Sequence, residues 1–440
     1  MTEIGEGEML STSRRGLLTG AGGLSLAMAL NGLAPGRALA GQPISFVGWT
    51  FRPDMVQGYV DYFNKKYDEQ VNYSTLPWPQ FHQTLEQRAF AGEVVDVMYC
   101  FHSFRERWSQ TGLIRPLDDL PGVDEIKAAM APANLESLKN KDGQLIALPY
   151  YLALYIMMYN EPMLQQGGFQ APAASWDELI EHCVKLKKDG VSEYPYLPNW
   201  NPTVTGTTTQ FLTDCFADGA TVFDAGNKLV IDQDPGVAQV MERWQRIYGL
   251  GLVTPEIFTK PSTTDVHRMM FTGRYAYHSN HSNYLQTIAS NTKESLLAPK
   301  KAKITPYPGK TGDTYMWTDS YVLNANTAAL DSAWKLMQFV GANLDKSWTV
   351  QRQWAIATGL DNPYPALYEE PEVISSYANW IDLPLLRRQF EKGKVISAFK
   401  EAWYPEYDAR AVPILHDMTR KTIAVGDAIK QLVELQRSLA

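Results

Sequence analysis

Three apolar runs, ISFVGW (residues 44–49), VNYSTL (71–76) and VVDVMY (94–99), decide the fold class of this chain. Pro53 begins a helical pattern between the first two runs, and residues 81–90 supply a second one before the third run. The first helical pattern is carried by Met55, Val56, Tyr59, Val60 and Phe63. Strands that alternate with helices in this way predict an α/β fold, in which a mostly parallel sheet carries helices on its faces.

The remaining sequence continues this mixture of strands and helices. Ser175-Trp176-Asp177-Glu178 is a capping box, which predicts the start of a helix that ends at Gly190. Asp234-Pro235 predicts the start of another helix. Residues 274–279 and 319–324 predict two further strands, because both stretches are short and rich in aromatic or β-branched residues.

The length of the chain bears on its domain organisation. The 440 residues exceed the roughly 250–300 residues at which a single hydrophobic core stops growing, so we expect two lobes. Residues 145–159 predict two extended segments around Pro149-Tyr150-Tyr151, where the chain can cross from one lobe to the other. No low-complexity linker separates the lobes, which indicates that the chain passes between them more than once.

The first forty residues have the features of an export signal. Ser13-Arg14-Arg15-Gly16-Leu17-Leu18 is a twin-arginine pattern, and an apolar, low-charge run follows it to Ala34. Ala38-Leu39-Ala40 has the small-x-small form of a cleavage site, which predicts a mature start at Gly41. An ordinary secretion signal with a chance arginine pair is the alternative. No cysteine lies near the cleavage site, so we expect no lipid anchor and a periplasmic location.

Composition and charge exclude several classes of protein. The chain is 45% hydrophobic and 20% charged, with a formal net charge of −8, which argues against nucleic acid or an anionic membrane as its main partner. No segment after the leader approaches the ~20 apolar residues that span a bilayer. Three cysteines do not make a disulfide framework, although a single Cys183–Cys215 bridge remains open.

The sequence carries no recognisable catalytic or cofactor motif. It has no G-x-S-x-G elbow, no H-E-x-x-H and neither of the glycine-rich nucleotide loops. The carboxylate pair Asp118-Asp119 is typical of a solvated turn. His278 and His281 have no nearby cysteine or carboxylate that would complete a metal site, so we interpret their segment as a polar loop facing a ligand. We therefore expect no catalytic residues, no metal and no cofactor.

Aromatic residues are concentrated where the predicted strands end. Twelve tryptophans and 23 tyrosines are present, and Trp49 and Trp78 follow the first two predicted strands, while Trp317 precedes a later one. The ligand crevice of a parallel sheet lies beyond the carboxyl ends of its strands. Aromatic rings there can stack on a sugar ring while polar side chains bind its hydroxyls. The alternative interpretation is that each tryptophan belongs to the core.

Six segments, in chain order, resemble one protein family: the extracellular solute-binding proteins of ABC importers, in the carbohydrate-binding group that includes maltose-binding protein. The segments are Ala91-Gly92-Glu93 with Val95-Asp96-Val97-Met98, Trp108 with Gly112 to Asp118, Asp142 to Tyr150, Tyr159-Asn160 with Ser175 to Leu179, Phe271 to Ala276, and Ala333 to Phe339. Val95 departs from the family pattern, in which proline is usual.

The resemblance implies the two-lobe fold of type II periplasmic binding proteins, with a hinge between the lobes. Lobe one would comprise residues 41–149 and 277–321, and lobe two residues 150–276 and 322–440. A small solute, expected to be a carbohydrate, would bind between the lobes and be delivered to the membrane permease of an ABC importer. The protein would act as a monomer and would not be an enzyme.

The resemblance also places the ligand-facing residues in the loops that follow the strands. These are Trp49, Arg52, Trp78, Phe81, Phe101, His102, Tyr150, Tyr151, Asn199, Trp200, His278, Ser279, Asn280, Trp317, Asp319 and Tyr404. Arg52 has two interpretations, because it could bind an acidic solute at a helix start or be neutralised on the surface by Asp54.

Two other functions remain open from the sequence. One is a binding protein for a non-sugar solute, such as an acidic sugar, an opine or an organic acid; a polyamine ranks below these, because few carboxylates lie among the aromatic residues. The other is a periplasmic enzyme that acts on polysaccharide, which would require a pair of carboxylates in the cleft roughly 5–10 Å apart.

Overall fold

The computed structural model describes residues 43–203 and 205–440, so the predicted export signal lies outside the described residues. The strands are β1 (Ile44–Trp49), β2 (Val71–Leu76), β3 (Val97–Cys100), β4 (Leu148–Asn160), β5 (Tyr196–Leu197), β6 (Tyr277–His281), β7 (Ala302–Thr305), β8 (Thr314–Leu323) and β9 (Gly393–Lys394). They form a sheet in the order β2-β1-β3-β8-β4-β6-β5, with β7 paired to β4 and β9 paired to β8.

Helices surround this sheet. They are α1 (Pro53–Tyr67), α2 (Phe81–Phe90), α3 (Arg105–Gln110), α4 (Val123–Ala129), α5 (Pro132–Ser137), α6 (Glu161–Gln166), α7 (Trp176–Lys188), α8 (Thr207–Ala217), α9 (Pro235–Gly249), α10 (Thr263–Met270), α11 (Tyr284–Ser290), α12 (Leu330–Gly341), α13 (Thr349–Thr358), α14 (Pro371–Tyr377), α15 (Leu383–Glu391), α16 (Tyr404–Thr419) and α17 (Val425–Leu439). No helix of the described residues is long and apolar enough to cross a membrane.

The β-α-β-α-β start of the chain is confirmed. Strands β1, β2 and β3 are parallel. Strands β1 and β2 and helix α2 have the predicted bounds, and α1 begins at Pro53 as predicted. Strand β3 begins at Val97 instead of residue 94. The reason lies in the Asp96 carboxylate, which accepts hydrogen bonds from the Ser45 backbone N–H at 2.7 Å and from the Ser45 hydroxyl at 2.6 Å. At Asp96, hydrogen bonds to the side chain therefore take the place of backbone pairing between β1 and β3.

The two long antiparallel strands β4 and β8 connect two regions of the sheet. Leu148 to Leu154 of β4 pairs with β8, which also pairs with β3. Tyr155 to Asn160, the second half of the same strand, pairs instead with β6 and β7. The prediction of two extended segments is corrected to one 13-residue strand, whose register shifts between Pro149 and Tyr151.

Two predicted loops are strands in the structure. His278 to Asn280 lie within β6, because this segment pairs with β4 on one side and with β5 on the other. Trp317 lies in the middle of β8, which begins at Thr314 instead of Asp319 and is buried along its whole length. Strand β6 pairs with β4 and β5, whereas β8 pairs with β3 and β4. The assignment of all of residues 277–321 to lobe one stays a prediction.

Local signals set the helix ends as expected. The Ser175 hydroxyl accepts a hydrogen bond from the Glu178 backbone N–H at 3.2 Å, and the Glu178 carboxylate accepts one from the Ala174 N–H at 2.7 Å. The three cysteines are buried and free, so the Cys183–Cys215 bridge is not formed.

Candidate functional site

The buried carboxylate of Asp319 in β8 is the centre of the candidate site. It accepts hydrogen bonds from the Tyr99 hydroxyl at 2.9 Å and from the His102 backbone N–H at 3.2 Å. The His102 Nε2 atom lies 3.0 Å from the hydroxyl of Tyr315, two residues before Trp317 on the same face of β8. We call Tyr99, His102, Tyr315 and Asp319 the polar centre. The position of Tyr99 and His102 at the end of β3 is the position expected for a ligand crevice.

Half-buried aromatic rings lie beside the polar centre. The Trp49 ring stacks on Phe51 with centroids 5.2 Å apart, and lies 5.3 Å from the ring of Trp78. Trp49 also stacks on Tyr99 at 5.8 Å, which joins this group to the polar centre. We call Trp49, Phe51 and Trp78 the aromatic platform. Their rings are partly exposed at the ends of β1 and β2, so they offer faces on which a sugar ring can stack.

Trp317 lies between the polar centre and strand β6. Its ring stacks with Tyr315 at 5.3 Å, lies 5.5 Å from His102 and meets His281 edge-on at 4.8 Å. The Trp317 indole N–H is buried and has no hydrogen-bond partner within residues 43–203 and 205–440. Because a buried indole N–H normally finds an acceptor, this unpartnered group is a candidate donor to a solute.

The histidines of the site are neutral at physiological pH. Burial lowers the pKa of His102, although Asp319 opposes this effect, and burial lowers the pKa of His281 to about 3. Within the described residues, no group of three or more histidine, cysteine or carboxylate side chains could hold a metal ion. The arrangement can therefore bind hydroxyl groups and stack on rings.

Eight of the predicted ligand-facing residues lie together in this region. Tyr151 is paired with Asp319 across the β4–β8 ladder, and Tyr150 contacts both Tyr151 and Tyr99. Phe101 packs edge-on against Trp78 at 5.3 Å. The eight residues are Trp49, Trp78, Phe101, His102, Tyr150, Tyr151, Trp317 and Asp319.

Four predicted residues lie elsewhere or point away. Arg52 is bound to Asp54, with its Nη2 atom 2.8 Å from the carboxylate, and is largely exposed. Phe81 is fully buried beneath Tyr99. Trp200 packs against Trp244 and Phe258, and Tyr404 packs against Phe223, Trp403 and Tyr407.

The remaining four predicted residues have partners inside the protein. The Asn199 amide donates to the Tyr155 hydroxyl at 2.5 Å. His278 Nδ1 lies 2.8 Å from the Leu197 carbonyl oxygen, and its Nε2 lies 3.2 Å from the Asn280 amide. The Ser279 hydroxyl lies 2.7 Å from that of Tyr307. The His278 and Ser279 contacts join β6 to Leu197 of β5 and to Tyr307, whereas the Asn199 contact joins the segment after β5 to β4.

Sequence reasoning missed five residues of the region. Phe51 directly precedes the predicted residue Arg52, and Tyr99 lies two residues before the predicted residue Phe101. Tyr99 itself was predicted only as the last residue of a strand. Tyr155, His281 and Tyr315 lie within strands. Each is two residues away from another residue of its strand, Ala153, Ser279 and Trp317 respectively, and therefore lies on the same face as that residue. Applying this two-residue period to the predicted positions in β4, β6 and β8 would have found them.

Comparisons with known proteins give a family and several solved structures to which this chain is similar. The sequence model of the family described as "Bacterial extracellular solute-binding protein" matches residues 58–379. Candidate binding proteins of Brucella abortus and Brucella suis are 23% identical over 316 residues, which cover 71% of this chain and 72% of theirs.

Solved structures of binding proteins share the fold. Maltose-bound MalE3 of T. maritima superposes with a TM-score of 0.77 at 19% identity, over 90% of this chain and 100% of its own. The GacH receptor of Streptomyces glaucescens, solved unliganded and with acarbose, has a TM-score of 0.75 at 16% identity, over 90% and 98%. A solute-binding protein of Agrobacterium vitis with bound D-mannitol has a TM-score of 0.70 at 18% identity, over 90% and 97%. The chain therefore has the two-lobe fold of periplasmic binding proteins.

Proposed function

Because the chain belongs to the bacterial extracellular solute-binding protein family, we propose that it is the periplasmic solute-binding component of an ABC importer. It captures a carbohydrate, either a sugar, an oligosaccharide or a polyol, and delivers it to the membrane permease. The family consists of binding proteins, so the alternative of an enzyme acting on polysaccharide is set aside.

The observation that carries the proposal is the aromatic platform beside the polar centre. Trp49, Phe51 and Trp78 offer partly exposed rings, whereas Asp319 and the Trp317 indole supply a buried acceptor and a buried donor. A carbohydrate needs this combination, because its C–H faces stack on rings and its hydroxyls require hydrogen bonds. The structures with bound maltose, acarbose and D-mannitol share this fold, which supports the same ligand class here.

The charges of the site favour a neutral solute over an acidic one. Arg52, the residue that could have bound an acidic solute, is paired with Asp54. The buried Arg105 is bound to the carbonyl oxygens of Thr318 and Ser137, so it is occupied within the protein. An opine, an organic acid or an acidic sugar would bring a carboxylate next to Asp319 without an available cation, and the repulsion would oppose binding.

Binding is proposed to close two lobes about the strands β4 and β8. The lobes comprise residues 41–149 with 277–321, and residues 150–276 with 322–440. A solute that contacts both lobes favours the closed form only by its higher affinity for that form. Strand β8 is contacted from both sides. Tyr99 and His102, at the end of β3, bind Asp319 of β8, and His281 of β6 packs against Trp317 of β8.

Export and assembly complete the proposal. The leader with Ser13-Arg14-Arg15 directs the chain through the twin-arginine route, and cleavage after Ala40 releases a protein without a lipid anchor. The mature protein acts as a monomer that meets the permease in its closed, loaded form.

A thermal-shift screen followed by calorimetric titration tests the proposal. The panel contains maltose, maltotriose, mannitol, galacturonate, an opine and putrescine. A ligand at 100 times its Kd adds about 2.7 kcal/mol to the free energy of unfolding, so a neutral sugar or polyol is expected to raise Tm clearly. Binding of galacturonate, the opine or putrescine alone would contradict the carbohydrate assignment.

Two variants locate the binding in the proposed site. Trp78→Leu removes a half-buried ring of the platform and is expected to weaken sugar binding about tenfold. Trp200→Leu is the matched control, because Trp200 packs only within the core near Trp244, and it should lower Tm while leaving Kd unchanged. Equal effects of the two variants on Kd would place the solute elsewhere.

A further inference from the structure

A cavity of about 450 Å³ lies on the opposite face of the β4–β8 ladder from the candidate site. Its walls include Leu152 and Met316, whose neighbours Tyr151 and Trp317 point to the other face because side chains alternate along a strand. The cavity therefore shares two strands with the candidate site but none of the side chains of the aromatic platform or the polar centre.

The lining of this cavity is mostly apolar, with one buried polar group that has no partner. Leu152, Met316 and Phe390 supply apolar walls. Asn362 is only 4% exposed, and its Oδ1 atom has no hydrogen-bond partner among the residues that the structure describes. An unpartnered buried acceptor is costly, and a ligand with a hydroxyl or amine donor would satisfy it.

Charged groups at the rim limit the ligand further. Glu369, Glu391 and Arg387 line the cavity, and Arg387 is paired with Glu369 at 3.1 Å. One carboxylate is therefore left without a cation at the rim, which opposes an anionic ligand. The size and apolar lining are those of small-molecule sites in proteins.

We propose that this cavity is a second binding site, for a small, uncharged, mainly apolar molecule that donates one hydrogen bond to Asn362 Oδ1. A simple phenol is the chemical class that fits these features. The ring would lie against Leu152, Met316 and Phe390, and the hydroxyl would point to Asn362. The site does not depend on the proposed transport function, because it uses none of the residues assigned to the solute.

Fluorine NMR titration of the full-length protein with three matched probes tests the proposal. We expect 4-fluorophenol to bind with a millimolar or lower Kd, and 4-fluorotoluene to bind about fivefold more weakly because it cannot donate a hydrogen bond. The anion 4-fluorobenzoate should show no binding. No binding of 4-fluorophenol at millimolar concentration, or equal affinity for all three probes, would overturn the proposal.

Three variants assign the binding to this cavity. Asn362→Leu is close in shape and should remove the preference for 4-fluorophenol over 4-fluorotoluene. Ala133→Phe, at an exposed position of the lining, should block both probes without disturbing the core, and so serves if Asn362→Leu fails to fold. Trp78→Leu should leave both affinities unchanged. Loss of 4-fluorophenol binding in Trp78→Leu but not in Ala133→Phe would place the probe in the candidate solute site and overturn the assignment.

Discussion

Asp361 shows how one buried carboxyl group can make the stability of the whole protein depend on pH. Its carboxyl accepts hydrogen bonds from the hydroxyls of Ser282, Tyr377 and Tyr368, at 2.5, 3.0 and 3.2 Å. Burial nevertheless raises its pKa from 3.8 to about 7, although these three hydroxyls oppose the change. The folded protein therefore keeps a proton that the unfolded chain has already released.

The consequence is a loss of stability as pH rises from about 4 through 7. Asp361→Asn cannot ionise, and its amide can still accept from the two tyrosines. Relative to the unchanged protein, the free energy of unfolding of Asp361→Asn is expected to rise by about 2 kcal/mol between pH 5 and pH 8. Denaturant unfolding of both proteins at the two pH values measures this difference.

Comparing the two proteins at each pH is necessary because the histidines act in the opposite direction. Burial lowers the pKa of His82 and His281 to about 3, and that of His278 to about 4. Each of these histidines therefore adds to the free energy of unfolding as pH rises towards 6.5, and Asp361→Asn leaves that contribution unchanged. If the difference in unfolding free energy between the two proteins is the same at pH 5 and pH 8, Asp361 is ionised in the folded state throughout.

At the scale of single elements, helix α7 depends on signals that lie within a few residues of one another. Ser175→Ala removes the acceptor for the Glu178 N–H and is expected to cost about 1 kcal/mol of the free energy of unfolding. Ser175→Asp keeps a side-chain oxygen at the same position and should cost much less. Urea unfolding of the three proteins distinguishes them. Equal losses for alanine and aspartate would show that the cap contributes little here.

Elements that depend on such local signals could be predicted from the sequence, whereas elements that depend on remote contacts could not. The start of α1 and the bounds of α2 follow from local patterns and were predicted correctly, as was the capping box of α7. The bounds of β6 and β8 were predicted only in part, because the strands with which they pair are remote in sequence. Tyr99, for example, donates to Asp319 across 220 positions, and no local pattern carries that information.

For the molecule as a whole, the sequence predicted the fold class and about half of the candidate site. Residues at the ends of β1, β2 and β3 were found because chain order brings those ends to one edge of a parallel sheet. Trp200 and Tyr404 were expected at the ligand but pack against other aromatic residues, as aromatic residues in loops and helix starts can equally do. Their burial depends on helices such as α9, which tertiary packing places against them.

The ion pair of Lys141 with Glu401 joins segments that belong to different predicted lobes. Lys141 Nζ lies 2.6 Å from Glu401, whose other carboxylate oxygen accepts from the Asn227 amide at 2.7 Å. The nearby Lys400 Nζ donates to the Glu136 carbonyl oxygen at 3.2 Å. If the lobes separate in the absence of solute, Lys141 and Glu401 must move apart, so this pair would favour the closed form.

Glu401→Gln is therefore expected to raise the Kd for the solute, because binding must then close the lobes without the ion pair. Partly exposed ion pairs contribute up to about 1 kcal/mol, so the expected increase is about two- to fivefold at low ionic strength. Screening at high ionic strength should remove most of this difference. Glu406→Gln is the matched control, since Glu406 pairs with Arg410 within α16. Calorimetric titrations at two salt concentrations measure the effect, and a Kd that Glu401→Gln leaves unchanged at low salt would mean that the pair persists in the open form.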